Sequence, residues 1–357
     1  MAGIGSARLR KLLDAFGDIE SAWEATEAEL LGAGLDRPTA RALVEARASI
    51  DLDEELDRIR SLGVQVLTWA DEAYPQRLHE LENPPPVLYV RGGLEARDRW
   101  AVAVVGTRRP AAYGRSVARD IGALLGSAGV TVVSGLARGI DAIAHQAALD
   151  AGGRSIAVLG SGLDRVYPPE HARLGDRLAA SGALLSDYPL GTAREAANLP
   201  PRNRLIAGLS LVVVVVEAGE SSGALITADF AAEQGREVFA VPGSIYSRAS
   251  QGSHQLIASG ARLLSKPEDV LEALNLDVAV RQEVAQLALP DDPVEARVME
   301  LLSGDPVHVD ELQIRAGLPA AQLGASLAKL ELKERVRQVG GMHYVRIRES
   351  RASYKVE

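Results

Sequence analysis

No cysteine occurs anywhere in the 357 residues. That absence removes disulfides, thiolate metal sites and cysteine nucleophiles at once. Lysine is nearly as scarce, with Lys11, Lys266, Lys329, Lys333 and Lys355 the full set. From Leu12 to Ser265 the chain therefore relies on arginine, whose planar guanidinium stays protonated and matches phosphate oxygens two at a time. No Gly-Lys-Ser or Gly-Lys-Thr step exists, which excludes a Walker A loop and an ordinary P-loop ATPase. Aromatic residues are only 4% of the chain, so stacking on nucleobases must fall to very few side chains. Long apolar runs are missing too. The longest, Leu205 to Val216, is interrupted by Gly208 and Ser210, well short of the ~20 residues that span a bilayer. Met1 to Arg10 leads to Lys11 and Asp14, where a secretory signal would place an apolar core. These absences predict a cytoplasmic protein without a membrane partner.

What is present suits a folded chain. Hydrophobic residues make up 47% and charged residues 24%, enough for sizeable cores. The length implies two or three domains at ~150 residues each. The net charge is −9, so a globally basic nucleic-acid coat is excluded.

Three blocks separate by pattern. Residues 1–68 read as helical, with apolar positions at Leu9, Leu12, Leu13 and Phe16 and punctuation at Gly17, Gly32 and Gly34. Within them, GIGSARLRKLLDAFG resembles a helix-hairpin-helix or SAM-like unit, in which a glycine turn can offer amides to a DNA phosphate. Residues 69–275 alternate apolar strand runs with amphipathic stretches. The runs are AVAVVG (101–106), VTVVSG (130–135), RSIAVLG (154–160), ALLSD (183–187), LVVVVVEAG (211–219) and EVFAVPG (237–243). Such runs, joined by helical crossovers, predict an α/β domain, a parallel sheet covered on both faces. A Pro-rich hinge, NPPPVLY, leads into it. After a linker at 276–292, residues 293–348 suggest three helices (294–302, 309–316, 320–330) and a hairpin turning at Gly340-Gly341. That order predicts a winged helix, followed by a tail at 349–357. Its third helix sets Lys329 and Lys333 beside Glu331 and Glu334, a weak charge for reading DNA, so partner binding or dimer support suits it as well.

In an open parallel sheet, ligands bind beyond the carboxyl ends of the strands. The loops that fall there are GTRRPAAYG, SGLARGIDAIAH, GSGLDRVYPPE, DYPLG to LPPRNR, EAGESSGALIT and PGSIYSRASQG. Glycine lets backbone approach a ligand, helix starts favour anions, and arginine adds forked donors. Several such loops on one edge describe a polyanion site. A nicotinamide dinucleotide would instead need G-x-G-x-x-G after the first strand and an acid after the second. The chain offers Gly106-Thr107-Arg108-Arg109-Pro110-Ala111 and then Ser134, so both requirements fail. Asp141 and His145 share a helix face but have neither a third metal ligand nor a nucleophile. They read as site-orienting groups that anchor the loop. Asp187 and Glu217 end strands, where catalytic acids often sit and where either can equally orient arginines.

The series VVGTRRPAAYG, VVSGLARGIDAIAH, LPPRNRLIAGLS, VVEAGESSGALITADFA and VPGSIYSRASQGSHQLIASGA closely resembles the DNA-processing protein A family over 74–265. The segment YPQRL…NPPPVLYVRG fits that family's lead-in. The resemblance implies an extended Rossmann fold and a role that is not enzymatic, with no cofactor. It further implies binding and protection of single-stranded DNA in natural transformation and recombination. Loading of the RecA recombinase, relief of the block from single-strand-binding protein and a homodimer through the central domain follow from the same resemblance. Carried over by motif, the DNA pocket takes Gly106, Thr107, Arg108 and Arg109, then Ser134, Gly135, Arg138 and Gly139. The fourth loop adds Arg202, Asn203 and Arg204, and the fifth Ser222 and Gly223. One departure is Leu199, where the family pattern has Phe before Pro-x-Arg-Asn-Arg. Leucine packs but does not stack, which leaves Tyr113, Tyr167 or Tyr188 for bases and weights binding toward phosphate. A second departure is the short lead before Gly3, where the family often carries a further helix.

Two other classes of protein make different demands on the sequence. The LOG-type phosphoribohydrolases need Pro-Gly-Gly-x-Gly-Thr-x-x-Glu. The nearest segment, GESSGALITADFA, has neither Gly-Gly-x-Gly-Thr nor Glu three after Thr227. A winged-helix transcription regulator would place duplex recognition in 319–335. Local charge answers how an acidic chain holds DNA. Between Ala101 and His145, Arg108, Arg109, Arg115, Arg119 and Arg138 face only Asp120 and Asp141, and charges beyond about 8 Å are screened.

Overall fold

The computed structural model describes residues 4–274, 293–302, 306–332, 336–339 and 341–346. They form two compact units, Met1–Leu274 and Asn275–Glu357. The first opens with four helices, α1 (Ser6–Phe16), α2 (Ile19–Glu24), α3 (Glu27–Gly32) and α4 (Arg37–Ser49). Side-chain caps start three of them. Asp18 accepts the Ser21 N–H at 2.7 Å, Asp36 accepts that of Thr39 at 2.9 Å, and Thr26 with Glu29 forms a capping box. Their apolar stripes close on a small core of Leu12, Leu30, Leu35 and Leu43. Gly5 precedes α1 and Gly17 caps its end, while Gly3 lies outside the described residues.

The helical block does not run to residue 68 as its pattern suggests. Helix α5 (Leu52–Ser61) and strand β1 (Val64–Thr68) join the α/β layer. Ile59 and Val64 are buried there with Leu136, Leu178 and Leu184. The cause is the alternation in VQVLT, whose inward positions need a sheet core to cover them.

Nine strands make the sheet. After β1 come β2 (Val87–Gly92), β3 (Ala101–Val105), β4 (Thr131–Ser134), β5 (Ser155–Val158), β6 (Gly182–Ser186), β7 (Val212–Val215), β8 (Glu237–Ala240) and β9 (Arg262–Leu263). Their order is β1-β2-β6-β5-β4-β3-β7-β8-β9. Pairing from β6 to β9 is parallel, while β2 pairs antiparallel with both β1 and β6. All six expected strands are present. The additional ones lie toward the margins of the sheet: β1 and the two-residue β9 are its edges, and β2, which begins within NPPPVLY, pairs between β1 and β6. Every residue of β3, β4, β5, β6 and β7 is buried, as runs apolar on both faces require.

Helices α7 (Ala112–Ser127), α8 (Ile140–Asp150) and α9 (Ala172–Ser181) carry the chain outward from β3 to β6; α6 is the short turn Gln76–His79. Helix α10 (Leu199–Leu209) then returns it across the sheet to β7, and α11 (Gly223–Glu233) continues to β8. The connections thus diverge between β3 and β7, which opens a crevice at that switch point.

The second unit has helices Pro293–Leu301, Val309–Ala316 and Ala320–Leu332 around Val298, Leu312, Leu323 and Leu327. Strands Val336–Gln338 and His343–Arg346 form the wing, and Val307–His308 adds a third strand beside the latter. This is the winged-helix order. In the turn, Gly341 has φ 51°. Gly340, Lys333, the linker at 276–292 and the tail at 349–357 lie outside the described residues. Among those described, no helix is long and apolar enough to cross a membrane.

Candidate nucleic-acid interface

A cavity of about 550 Å³ occupies the switch point. Gly106, Thr107, Arg108 and Arg109 line it from β3, Arg202 and Asn203 from α10, and Ser222 and Gly223 from the start of α11. Asp141 closes its floor. Four separate loops supply these groups, as the reading of the sheet edge expects.

The first loop is pinned from both sides. The Thr107 N–H donates to the Glu217 carbonyl at 2.7 Å, and the Ile140 N–H donates to the Thr107 carbonyl at 3.2 Å. Gly139 has φ +82°, and a Cβ there would lie 2.3 Å from the Thr107 carbonyl oxygen. Only glycine lets the second loop pass this close. The buried Glu217 carboxylate accepts the Ala111 N–H, at 3.1 and 3.2 Å to its two oxygens. The positive end of α7 is thereby filled by the protein's own acid. Arg108 and Arg109 of this loop are both exposed. Neither is among the ion pairs of the described residues.

Arg202 is a different kind of arginine. It is 5% exposed and donates to the Val158 carbonyl. Its guanidinium lies on Gly135, where a Cβ would come within 2.0 Å of Nη1. Burial pushes this group down to about 10, and the negative field of Asp141 opposes the shift, so Arg202 remains a cation at neutral pH. Asp141 in turn accepts the N–H groups of Gly135 at 3.1 Å and Ala137 at 3.3 Å. Burial raises its carboxyl pKa, while Arg202 and those amides pull it down. Asn203 Nδ2 donates to the Gly223 carbonyl at 3.2 Å, and Ser222 Oγ accepts the Ala224 N–H at 3.3 Å. The first contact ties α10 to α11 beside the cavity, and the second caps the start of α11.

Other expected residues fall elsewhere. The Ser134 hydroxyl donates to the Val104 carbonyl at 2.7 Å within the sheet. Arg204 is held by Asp187 at 2.9 Å and by the Asn83 carbonyl at 2.6 Å, away from the cavity. His145 does not anchor the loop. Its Nδ1 meets Ser155 Oγ at 2.6 Å, beneath α8. Ser155 Oγ also donates to the Val132 carbonyl, so the Nδ1–H is the donor and Nε2 is left buried without a partner. Burial first, then His171 and Arg202, pull its pKa to about 3.

A narrower cavity of about 50 Å³ adjoins the first and shares Arg108, Ala137, Leu199 and Arg202 with it. Gly135, Arg138, Tyr167 and Arg194 complete its wall. Arg138 is paired with Glu170 at 2.6 Å. Arg194 was missed from sequence, because it sits in GTAREAAN beside Glu195 and belongs to no glycine-rich pattern. Its proximity to Tyr167 was the discoverable signal only in three dimensions.

A Rossmann-like sheet with arginines and glycine loops at its switch point defines an open α/β protein whose ligand edge is cationic. Comparison with known families agrees. Residues 65–275 match the DNA recombination-mediator protein A model, and residues 282–342 match the DprA winged helix domain. The chain belongs to the DNA-processing protein A family, whose members are DNA-binding recombination mediators and not enzymes. Among relatives, Protein Smf of Synechocystis is 34% identical over 96% of this chain and 96% of its own. Protein Smf of Escherichia coli is 44% identical over 78% of this chain and 76% of its own. The X-ray structure of DNA processing protein A from Streptococcus pneumoniae superposes with a TM-score of 0.67 at 36% identity, covering 76% of this chain and 93% of that one. A Helicobacter pylori homologue, described for its single-stranded DNA binding mode, gives 0.54 at 28% identity, covering 60% and 96%.

Proposed function

We propose that this chain binds single-stranded DNA across the carboxyl edge of its parallel sheet, protects it, and passes it to the RecA recombinase. The observation that carries this reading is the pair Arg108 and Arg109. They stand exposed and, among the described residues, without a carboxylate partner, over a cavity whose other loops are already hydrogen-bonded. Single strands rather than duplex suit it, because a crevice between loops admits a flexible backbone and not a rigid double helix. The family resemblance supports relief of the block from single-strand-binding protein, and a homodimer through the central domain. For the dimer, Leu263 is 48% exposed on the edge strand β9, whereas Ala224, Ala228 and Ala231 of α11 are core residues. The domain organisation we adopt is helices to Ser49, the α/β domain to Leu274, and the winged helix after the linker.

The test is fluorescence anisotropy with labelled oligo-dT, titrated with salt beside a duplex and AMP. Tight, salt-dependent binding selective for the single strand is expected. Binding or turnover of AMP without strand binding would move the site to the nucleotide-enzyme class of the LOG type.

A further inference from the structure

We propose that Tyr167 and Arg194 form a base-stacking platform for the nucleotide next to the phosphate held by Arg108; this rests on the strand-binding reading above. The Arg194 guanidinium carbon lies 4.8 Å from the Tyr167 ring centroid, within the range of a cation–π stack. Tyr167 keeps 42% of its surface exposed. The pair opens on the narrow cavity that shares Arg108, Leu199 and Arg202 with the main one, so a strand can pass from one to the other without leaving the sheet edge. Arg194 makes no ion pair among the described residues, and its Nε is buried without a hydrogen-bond partner.

The alternatives to Tyr167 are poorly placed. Tyr188 is half-buried, with its hydroxyl directed to the Asn198 carbonyl at 3.4 Å. Tyr113 and Tyr246 are exposed but line neither cavity. Leu199, at the wall between the cavities, cannot stack. The platform therefore supplies from the third and fourth loops the stacking that position 199 does not.

Oligo-dT strands carrying one 2-aminopurine, scanned along the strand, provide the readout with the full chain. We expect quenching at one position, and about ten-fold weaker binding when that position is made abasic. Tyr167→Ala and Arg194→Ala should lose both signals while keeping the salt slope that reports phosphate contacts. Tyr167→Phe should retain both, which separates stacking from misfolding. Binding by the wild type with no quenched position, or a Tyr167→Ala variant that behaves as wild type, overturns the platform and leaves strand binding intact. Failure of the wild type to bind any strand overturns both.

Discussion

The arginines of one loop cluster divide by solvent access into exposed groups free to meet a ligand and buried structural ones. Arg108 is exposed and makes no ion pair among the described residues, so Arg108→Ala should weaken single-strand binding with little change in melting temperature. The salt slope should fall by about 0.7 for the lost phosphate contact, as read by anisotropy at several ionic strengths. Arg202→Ala is different, because Asp141 would lose its buried counter-charge. It should cost roughly 3 kcal/mol of stability, measured by urea unfolding, in addition to any loss of binding. His145 makes a third residue-scale prediction. Its pKa is pulled from 6.5 to about 3 in the fold, so between those values the unfolded chain binds the extra proton and the folded one does not. Stability is therefore intact above pH 6.5 and falls as pH drops through that window. His145→Gln should flatten that slope, by roughly 3 kcal/mol at about pH 4, in urea midpoints taken across the range.

At the scale of elements, the two loops after β3 and β4 act as one piece. Gly139 underlies Thr107 and Arg108, and its positive φ disfavours any side chain. Gly139→Ala should displace the arginine loop, destabilise the fold by about 1–3 kcal/mol, and weaken strand binding beyond what stability alone explains. Urea unfolding and anisotropy on the same preparation check both. The crossover elements were legible in the sequence because strands buried on both faces leave long valine-rich runs. The antiparallel strands β1 and β2 were not. β1 is half exposed and β2 follows three prolines, so their pairing depends on neighbours distant in sequence. Helix α5 reads as a surface helix from its acids, yet Ile59 anchors it to the sheet core.

For the whole molecule, the two compact units predict separable roles. The cavity residues all belong to the first, and the third winged-helix segment presents Lys329 beside the acid Glu331. A chain ending at Leu274 should fold and keep the strand affinity and salt slope of the full protein, as measured by circular dichroism and anisotropy. A large loss of slope would assign phosphate contacts to the winged helix. The net charge of −9 does not oppose this, since screening confines each charge to its neighbourhood and the sheet edge is locally arginine-rich.

Composition and periodicity by themselves determined the α/β core, the winged-helix order and the loops that gather at one sheet edge. These depend on local propensity and on burial that repeats along the chain. Which arginines face the cavity and which are spent inside the fold was decided only in three dimensions. Arg202, Asn203 and Arg204 are consecutive, yet one lies on Gly135, one ties α10 to α11 and one is held by Asp187. On a helix, adjacent residues point about 100° apart, so three consecutive polar neighbours meet three different environments. Tyr167 and Arg194 come together for the converse reason, since the sheet brings loops far apart in the chain to a common edge.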